Sequence, residues 1–225
     1  MSYFVTGTDT DVGKTLISCA LLHGLAAQGK TVAGFKPVAA GCDDSEKNED
    51  ALRLRAAANV QVTYGQVNPY CFPQPVAPHL AARFIGVRIN LQRIVESYRE
   101  LAGLSDAVVV EGAGGFCVPL NEREDSVDMA RLLGLPVILV VGLRLGCLNH
   151  ALLTARAIAA AGLPLAGWVA NCVDGQMSMR DENIAALQQR LDAPLLGIVP
   201  HLGAAPQVHE VAACLDLGLL AAGKV

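Results

Sequence analysis

A three-layer α/β domain with a mostly parallel sheet is the fold this sequence predicts, on three observations. Short, continuously apolar runs such as Ala107-Val-Val-Val110 and Pro136 to Val141 read as strands buried on both faces. Segments of helical spacing separate these runs, so strand and helix alternate along the chain. A glycine-rich loop, Gly7-Thr-Asp-Thr-Asp-Val-Gly13-Lys14-Thr15, joins the first strand to the first helix. With 225 residues, no internal repeat and no low-complexity linker, residues 1–225 read as one domain.

The elements follow in order. Tyr3 to Thr6 is a first strand. Ile17, Ala20, Leu21, Gly24 and Leu25 recur at helical spacing after the loop, and Gly29 stops that helix. Thr31 to Phe35 is a second strand, ending at Lys36-Pro37. A polar loop from Gly41 to Asn48 leads into a helix over about Glu49 to Ala58. Asn68 to Pro78 holds four prolines and reads as irregular. Helical spacing resumes over Leu91 to Leu101. The strands at Ala107 and Pro136 are followed by a helix over Asn149 to Ala161, stopped by Gly162. Leu165 to Ala170 is a strand, Asp181 to Leu191 a helix, Leu195 to Val199 a strand, and Val208 to Ala222 a helical tail. Trp168 falls mid-strand, where it reads as core packing.

Composition bounds the partners. Hydrophobic residues make up 52% of the chain and charged residues 17%, which suits a subunit with a sizeable interface. The net charge of -4 and the lack of any Lys/Arg run argue against nucleic acid or an anionic membrane as partner. The longest apolar stretch, Leu132 to Leu143, is broken by Gly134, Pro136 and Gly142 and is too short to span a bilayer. No secretory signal pattern opens the chain, so a cytoplasmic protein is expected. The seven cysteines form no C-x-x-C pair and share no metal spacing with the five histidines. Reduced thiols are therefore expected, with disulfides and zinc both disfavoured.

The loop after the first strand carries the chemistry. From Thr8 it runs five residues to Gly13-Lys14-Thr15, a phosphate-binding loop whose leading glycine stands one place early. Its backbone N–H groups and the helix N-terminus suit phosphate oxygens. Lys14 would reach the β- and γ-phosphates and Thr15 would hold Mg²⁺. The predicted fold is thus of the P-loop NTPase type. Ligands in such a sheet collect at the carboxyl ends of the strands. Lys36, Glu111, Asn171 and Pro200-His201 all stand at such ends. Glu111, followed by Gly112-Ala113-Gly114-Gly115, is a suitable Mg²⁺ ligand with room beside it for phosphate. Lys36 reads as a second phosphoryl-stabilising cation or as a solvated strand end, and Asp50 as a helix-start charge. The Leu145–His150 segment reads as an anion-binding helix start or as a cap by Asn149.

Together these motifs resemble the dethiobiotin synthetase family, an ATP-dependent cyclo-ligase of biotin synthesis. The resemblance rests on the phosphate loop, Lys36-Pro-Val-Ala39, Asn68-Pro-Tyr70, Val110-Glu-Gly-Ala-Gly-Gly115, Leu145-Gly-Cys-Leu-Asn-His150, Leu165-Ala-Gly-Trp-Val-Ala-Asn171 and Ala193-Pro-Leu-Leu-Gly197, in family order. It implies that 7,8-diaminononanoate takes up CO₂ (or bicarbonate) as a carbamate. ATP phosphorylates the carbamate, and the neighbouring amine closes a cyclic urea. It implies Thr15, Asp50 and Glu111 as Mg²⁺ ligands and Lys14, Lys36 and Thr10 as catalytic residues. Asp11, Val12, Gly13, Leu16, Gly112, Ala113 and Gly114 would complete the phosphate cradle. Asn171, Cys172, Pro200, His201 and Leu202 would meet the adenine. The substrate would lie against Ala40, and its carboxylate at Gly146, Cys147, Leu148 and Asn149 of the neighbouring subunit in a homodimer with shared sites. Two residues depart from the family pattern. Ala40 stands where many members have Ser. Cys172 stands where many have Asp, so weak discrimination between bases is expected. The competing reading is a dimeric switch ATPase of the partitioning type, whose loops usually carry an extra lysine near their start. Acidic Asp9 and Asp11 stand there instead.

Overall fold

A computed structural model describes residues 1–43, 45–203 and 206–222. The first strand, β1 (Tyr3–Gly7), runs through the phosphate loop into α1 (Lys14–Ala27), and β2 (Val32–Phe35) follows. A short strand β3 (Val38–Ala40) precedes α2 (Glu49–Ala57), α3 (Tyr64–Val67), β4 (Tyr70–Phe72), α4 (Pro78–Phe84) and α5 (Leu91–Leu104). The chain continues through β5 (Ala107–Glu111), α6 (Ser126–Leu133), β6 (Val137–Gly142), α7 (Cys147–Ala160), β7 (Leu165–Asn171), α8 (Arg180–Gln188) and β8 (Leu195–Val199). It ends in α9 (Val208–Ala213) and α10 (Leu219–Ala222).

Six strands form one parallel sheet in the order β2-β5-β1-β6-β7-β8. The central strands β1, β5 and β6 are buried at every position, as their unbroken apolar runs require. From β1 the chain moves one way along the sheet to β2, and from β5 it moves the other way through β6, β7 and β8. Right-handed crossovers therefore place α1 on one face and α6, α7 and α8 on the other. The reversal occurs at β1, so the crevice lies beyond the carboxyl ends of β1 and its neighbours, where the phosphate loop sits.

The long elements match their sequence periodicity, and the short ones do not. The 68–78 segment, expected to be irregular, contains β4, which pairs in parallel with β3 in a separate two-stranded sheet. Three-residue strands show no period of their own, and their pairing is non-local. Pro78 opens α4 at a position where proline's missing N–H costs nothing. Helix α6 was unanticipated, although Asp125 and Asp128 form a capping box at its start. The expected tail helix is broken. Leu215 forms an antiparallel bridge to Gly197 and the Asp216 N–H donates to the Leu196 carbonyl, so residues 214–218 satisfy the open edge of β8 instead.

The cysteine reading is corrected at one pair. Cys42 and Cys71 are disulfide-bonded, while Cys19, Cys117, Cys147, Cys172 and Cys214 are free. The pair is 29 residues apart in sequence. Only the β3–β4 pairing brings the two side by side, which no spacing rule could reveal. Among the described residues no helix is long and apolar enough to cross a membrane.

Candidate active site

The phosphate loop is seated by close contact rather than by a side-chain cap. Val12 is fully buried, and a Cβ on Gly7 or on Gly142 would stand 2.6 or 2.7 Å from its methyl groups. This contact accounts for the early glycine of the motif: Gly7 makes room for Val12, and Val12 holds the loop down. The Thr8 N–H also donates to the Val140 carbonyl, and the Gly142 N–H to the Thr8 hydroxyl. Gly13, at φ 89°, is the N-cap of α1 and makes no side-chain cap bond. A Cβ there would collide with the Asn171 amide, which donates to the Val12 carbonyl at 2.8 Å. The first N–H groups of α1 thus face the cleft with no side-chain competitor.

Across from the loop, a cleft of about 880 Å³ opens at the ends of β1, β2 and β5. Its floor is a charged cluster. Lys36 and Glu111 are only 4% and 0% exposed. The Lys36 ammonium donates to Glu111 Oε1 at 2.6 Å, to Asp50 Oδ2 at 3.2 Å and to the Gly112 carbonyl at 3.4 Å. The Thr15 hydroxyl donates to the same Glu111 Oε1 at 2.8 Å. Lys36 is therefore no solvated strand end. Burial opposes its charge, but the Glu111 and Asp50 carboxylates outweigh burial and raise its pKa. Asp50 lies in the first turn of α2, as a helix-start charge would, and its carboxylate points at Lys36. Burial disfavours its charge, yet Lys36 and the surrounding donors hold its pKa below the usual value.

Helix α2 presents Asp50 because Asn48 caps it, accepting from the Asp50 N–H at 3.1 Å and the Ala51 N–H at 3.4 Å. Glu111 Oε2 is buried with no hydrogen-bond partner. An orphaned carboxylate oxygen beside Thr15 and Asp50 is a hard-oxygen donor set that fits a magnesium ion. Among the described residues no three His, Cys, Asp or Glu side chains gather as a metal cluster, so the threonine hydroxyl has to complete the set.

Lys14 sits above this floor, its ammonium donating to the Asp9 carbonyl at 2.9 Å. Burial first, and then the nearby Lys36 charge, lower its pKa to about 8. Charged Lys14 suits a triphosphate, and bound phosphate would raise its pKa again. Nucleotide affinity is therefore expected to fall as pH rises past about 8, by up to about tenfold per pH unit. Calorimetric titration at pH 7 to 9 should show proton uptake on binding at the upper end. Equal affinity across that range would mean that Lys14 does not meet the phosphates. For the empty protein the linkage runs the other way. The unfolded chain keeps this proton up to about 10.5, so Lys14 opposes folding below about pH 8 and that cost is relieved progressively as pH rises towards 10.5.

The remaining expected residues divide. Thr10, Asp11, Gly13, Leu16, Ala113, Gly114 and Ala40 line the cleft. Val12 does not; its side chain is the plug described above. Gly112 offers its carbonyl to Lys36 from behind the floor. Cys172 is buried, its carbonyl 3.2 Å from His201 Nδ1. Pro200, His201 and Leu202 are exposed beyond β8. Gly146 to Asn149 lie outside this cleft. Gly146, at φ 94°, is the N-cap of α7, so the helix starts at Cys147 and Asn149 lies within it rather than capping it. The Cys147 side chain is buried and its N–H donates to the Arg144 carbonyl.

Several lining residues escaped the sequence reading. Asn48 carried a visible signal, a capping residue before Glu49-Asp50. Pro75, Val76, Ala77, Pro78 and Val118 form an apolar wall beside Ala39 and Ala40; the four prolines marked the segment without revealing its role. Arg144 pairs with Asp9 at 2.5 Å, tying the phosphate loop to the start of α7. A lone arginine in a loop gave no signal.

Known proteins resemble this chain over nearly its whole length. A family model described as an AAA domain matches residues 1–207. The chain is 58% identical over 199 residues to the ATP-dependent dethiobiotin synthetase BioD of Nitrosospira multiformis, covering 88% of each chain. It is 53% identical to that of Aromatoleum aromaticum, covering 96% of this chain and 97% of the relative. With that of Pseudomonas aeruginosa it shares 52% identity over 99% of both. Among solved structures, MinD of Aquifex aeolicus aligns over 94% of this chain and 85% of its own at TM-score 0.55 and 15% identity. MinD of Pyrococcus horikoshii, complexed with Mg-ADP, aligns over 89% of this chain and 82% of its own at TM-score 0.54 and 18% identity. At such identity the likeness to MinD speaks to the fold alone.

Proposed function

The chain belongs to the ATP-dependent dethiobiotin synthetase family, and from that premise we propose how its cleft works. The protein carboxylates 7,8-diaminononanoate with CO₂ and closes the ring to dethiobiotin at the expense of ATP. An amine attacks CO₂ and loses a proton to become a carbamate. A carbamate oxygen takes the γ-phosphoryl group and ADP leaves. The second amine then attacks the carbonyl carbon, phosphate departs, and the urea ring closes. No protein nucleophile is needed, so catalysis rests on positioning and charge.

The observation that carries this reading is the buried Lys36 held against Glu111 and Asp50, opposite Lys14. Two cations converge where a carbamate and a γ-phosphate would meet. Lys14 and the loop N–H groups hold the phosphates. Lys36 stabilises the charge that builds on the transferring group. Thr10 and Asp11 stand at the rim, where Asp11 suits an amine. Thr15, Asp50 and Glu111 would hold Mg²⁺, which when bound neutralises phosphate charge. The apolar wall from Pro75 to Pro78 with Ala40 suits an alkyl chain. Ala40 offers no hydroxyl, so the adjoining carbonyls and Lys36 take the polar contacts. The decisive test is phosphate release that requires both the diamine and bicarbonate, with dethiobiotin identified by mass. Phosphate release that ignores the diamine would favour a switch ATPase instead.

The base would lie on the β7–β8 side of the loop, because β5 and β2 supply the metal and γ-phosphate side. There the Cys172 carbonyl can only accept, so His201 donates from Nδ1. The tautomer that carries its hydrogen on Nδ1 presents Nε2 as an acceptor, which suits the exocyclic amino group of adenine better than the oxygen of guanine. One such bond contributes about 1 kcal/mol, so a preference for ATP over GTP of only about fivefold is expected. Competition assays with the His201→Ala variant check this, since the preference should vanish; an unchanged ratio would place base reading elsewhere.

We further propose a homodimer in which α7 of one subunit completes the other's cleft. The N–H groups of Leu148 and Asn149 have no i−4 partner within the helix and would receive the substrate carboxylate.

A further inference from the structure

We propose that Cys42 and Cys71 form a thiol–disulfide control site for the carboxylate cluster, closed by low-molecular-weight disulfides and opened by thiols. The bond joins the loop after β3 to strand β4. One of its ends touches, and the other adjoins in the chain, residues that hold the site. At the Cys42 end, the Asn48 amide donates to the Ala40 and Gly41 carbonyls, each at 3.4 Å. At the Cys71 end, the sulfur lies 3.4 Å from the Tyr64 hydroxyl. That hydroxyl accepts from the Asn48 N–H at 2.8 Å and reaches Asn68 Oδ1 at 2.8 Å. Asn68 in turn donates to the Lys36 carbonyl at 2.6 Å. Asn48 is the residue that caps α2 and so presents Asp50. The covalent bond thus stands against the hydrogen-bonded set that holds both Asp50 and Lys36, through a sulfur–hydroxyl contact at Cys71 and through the adjoining backbone at Cys42.

The arrangement suits control better than permanent bracing. The β3–β4 ladder, with the Gly41 and Cys42 N–H groups both donating to the Phe72 carbonyl, holds the ribbon in place without the bond. The fold therefore survives its opening, while a two-stranded ribbon of three residue pairs is loose enough to respond. Both cysteines are half-buried, within reach of a small thiol. In reducing compartments such bonds are mostly transient.

Closing the site removes two electrons from the pair. One cysteine thiolate attacks a sulfur of a small disulfide RSSR, forms a mixed protein–S–S–R bond and expels RS⁻. The second thiolate attacks the protein sulfur of that bond, forms the Cys42–Cys71 bond and expels the second RS⁻. The protons given up by the two cysteines end on the two released RSH molecules.

The consequence for turnover rests on the roles assigned to Asp50 and Lys36 above; the effect on the helix start does not. The full-length protein is equilibrated with reduced or oxidised glutathione, and the bond is scored by peptide mass. Two readouts follow. Hydrogen exchange at the Asp50 and Ala51 amides needs no substrate, and phosphate release is measured at subsaturating diamine. Reduction is expected to speed that exchange and to lower turnover, each about three- to tenfold, and reoxidation to restore both. Cys42→Ser and Cys71→Ser should behave as the reduced protein under both conditions. A bond that opens and closes with neither readout moving overturns the proposal. So does failure of oxidised glutathione to form the bond, or a redox response that persists in both serine variants. If exchange responds but no diamine-dependent phosphate release exists in any state, the control site stands and the catalytic reading fails.

Discussion

Lys36→Met is expected to lower turnover by at least about 100-fold, the usual loss when a preorganised group at developing charge is removed. Methionine keeps an unbranched apolar stem of similar length in the buried position and deletes the charge together with its three hydrogen bonds. The same change strands Glu111, which is fully buried and bonded to Lys36 at 2.6 Å. Breaking a buried pair costs about 3–5 kcal/mol. Adding Glu111→Gln removes the stranded charge. The double variant should regain much of the stability and none of the turnover. Thermal melts and steady-state phosphate release measure the two effects separately. Near-normal turnover in Lys36→Met would reduce Lys36 to a counter-ion of Glu111 and Asp50.

Mixing two inactive variants should restore about a quarter of wild-type sites if the cleft is completed by a second subunit. The second variant is Gly146→Asp. Gly146 has φ 94°, where any side chain adds backbone strain, but a Cβ there would meet nothing within 4 Å, so the cost is confined to the start of α7 and folding of the variant is checked by circular dichroism. The new carboxylate would occupy the N-terminus of α7 and repel the substrate's own. Each variant alone leaves every site lesioned. In a mixed dimer, one site takes Lys36→Met from one chain and Gly146→Asp from the other, while the second site is intact. Half of randomly mixed dimers are of this kind. Demonstrated subunit exchange with no recovery, both singles being inactive, would sink the shared site.

The legible parts of the site were those where one residue type has one use at one spacing. Gly13-Lys14-Thr15 after a strand could be placed without coordinates, and so could Glu111 at the end of three valines. Lys36 and Asp50 could be named but not decided, because a charge at a strand end or helix start has an ordinary solvated role. Burial of Lys36 and a 3.2 Å contact between residues 14 positions apart show that Lys36 is not solvated and that the two side chains meet. The Pro75–Pro78 wall and Arg144 were not legible, since each acts on residues far away in sequence. The cysteines misled for the same reason. Spacing disfavoured any bond, and the bond follows from a strand pairing too short to leave a period.

The sequence by itself determined the alternation of buried strands and helices, the phosphate loop and the family, because those are local patterns repeated over enough residues to be unambiguous. Only the tertiary structure decided the strand order that sets Lys36, Asp50 and Glu111 around one oxygen-rich point. It also decided that Val12 is a plug between Gly7 and Gly142, and that Cys42 meets Cys71. These are contacts between segments remote in the chain, and their energies arise only when the sheet has closed and expelled water from between them.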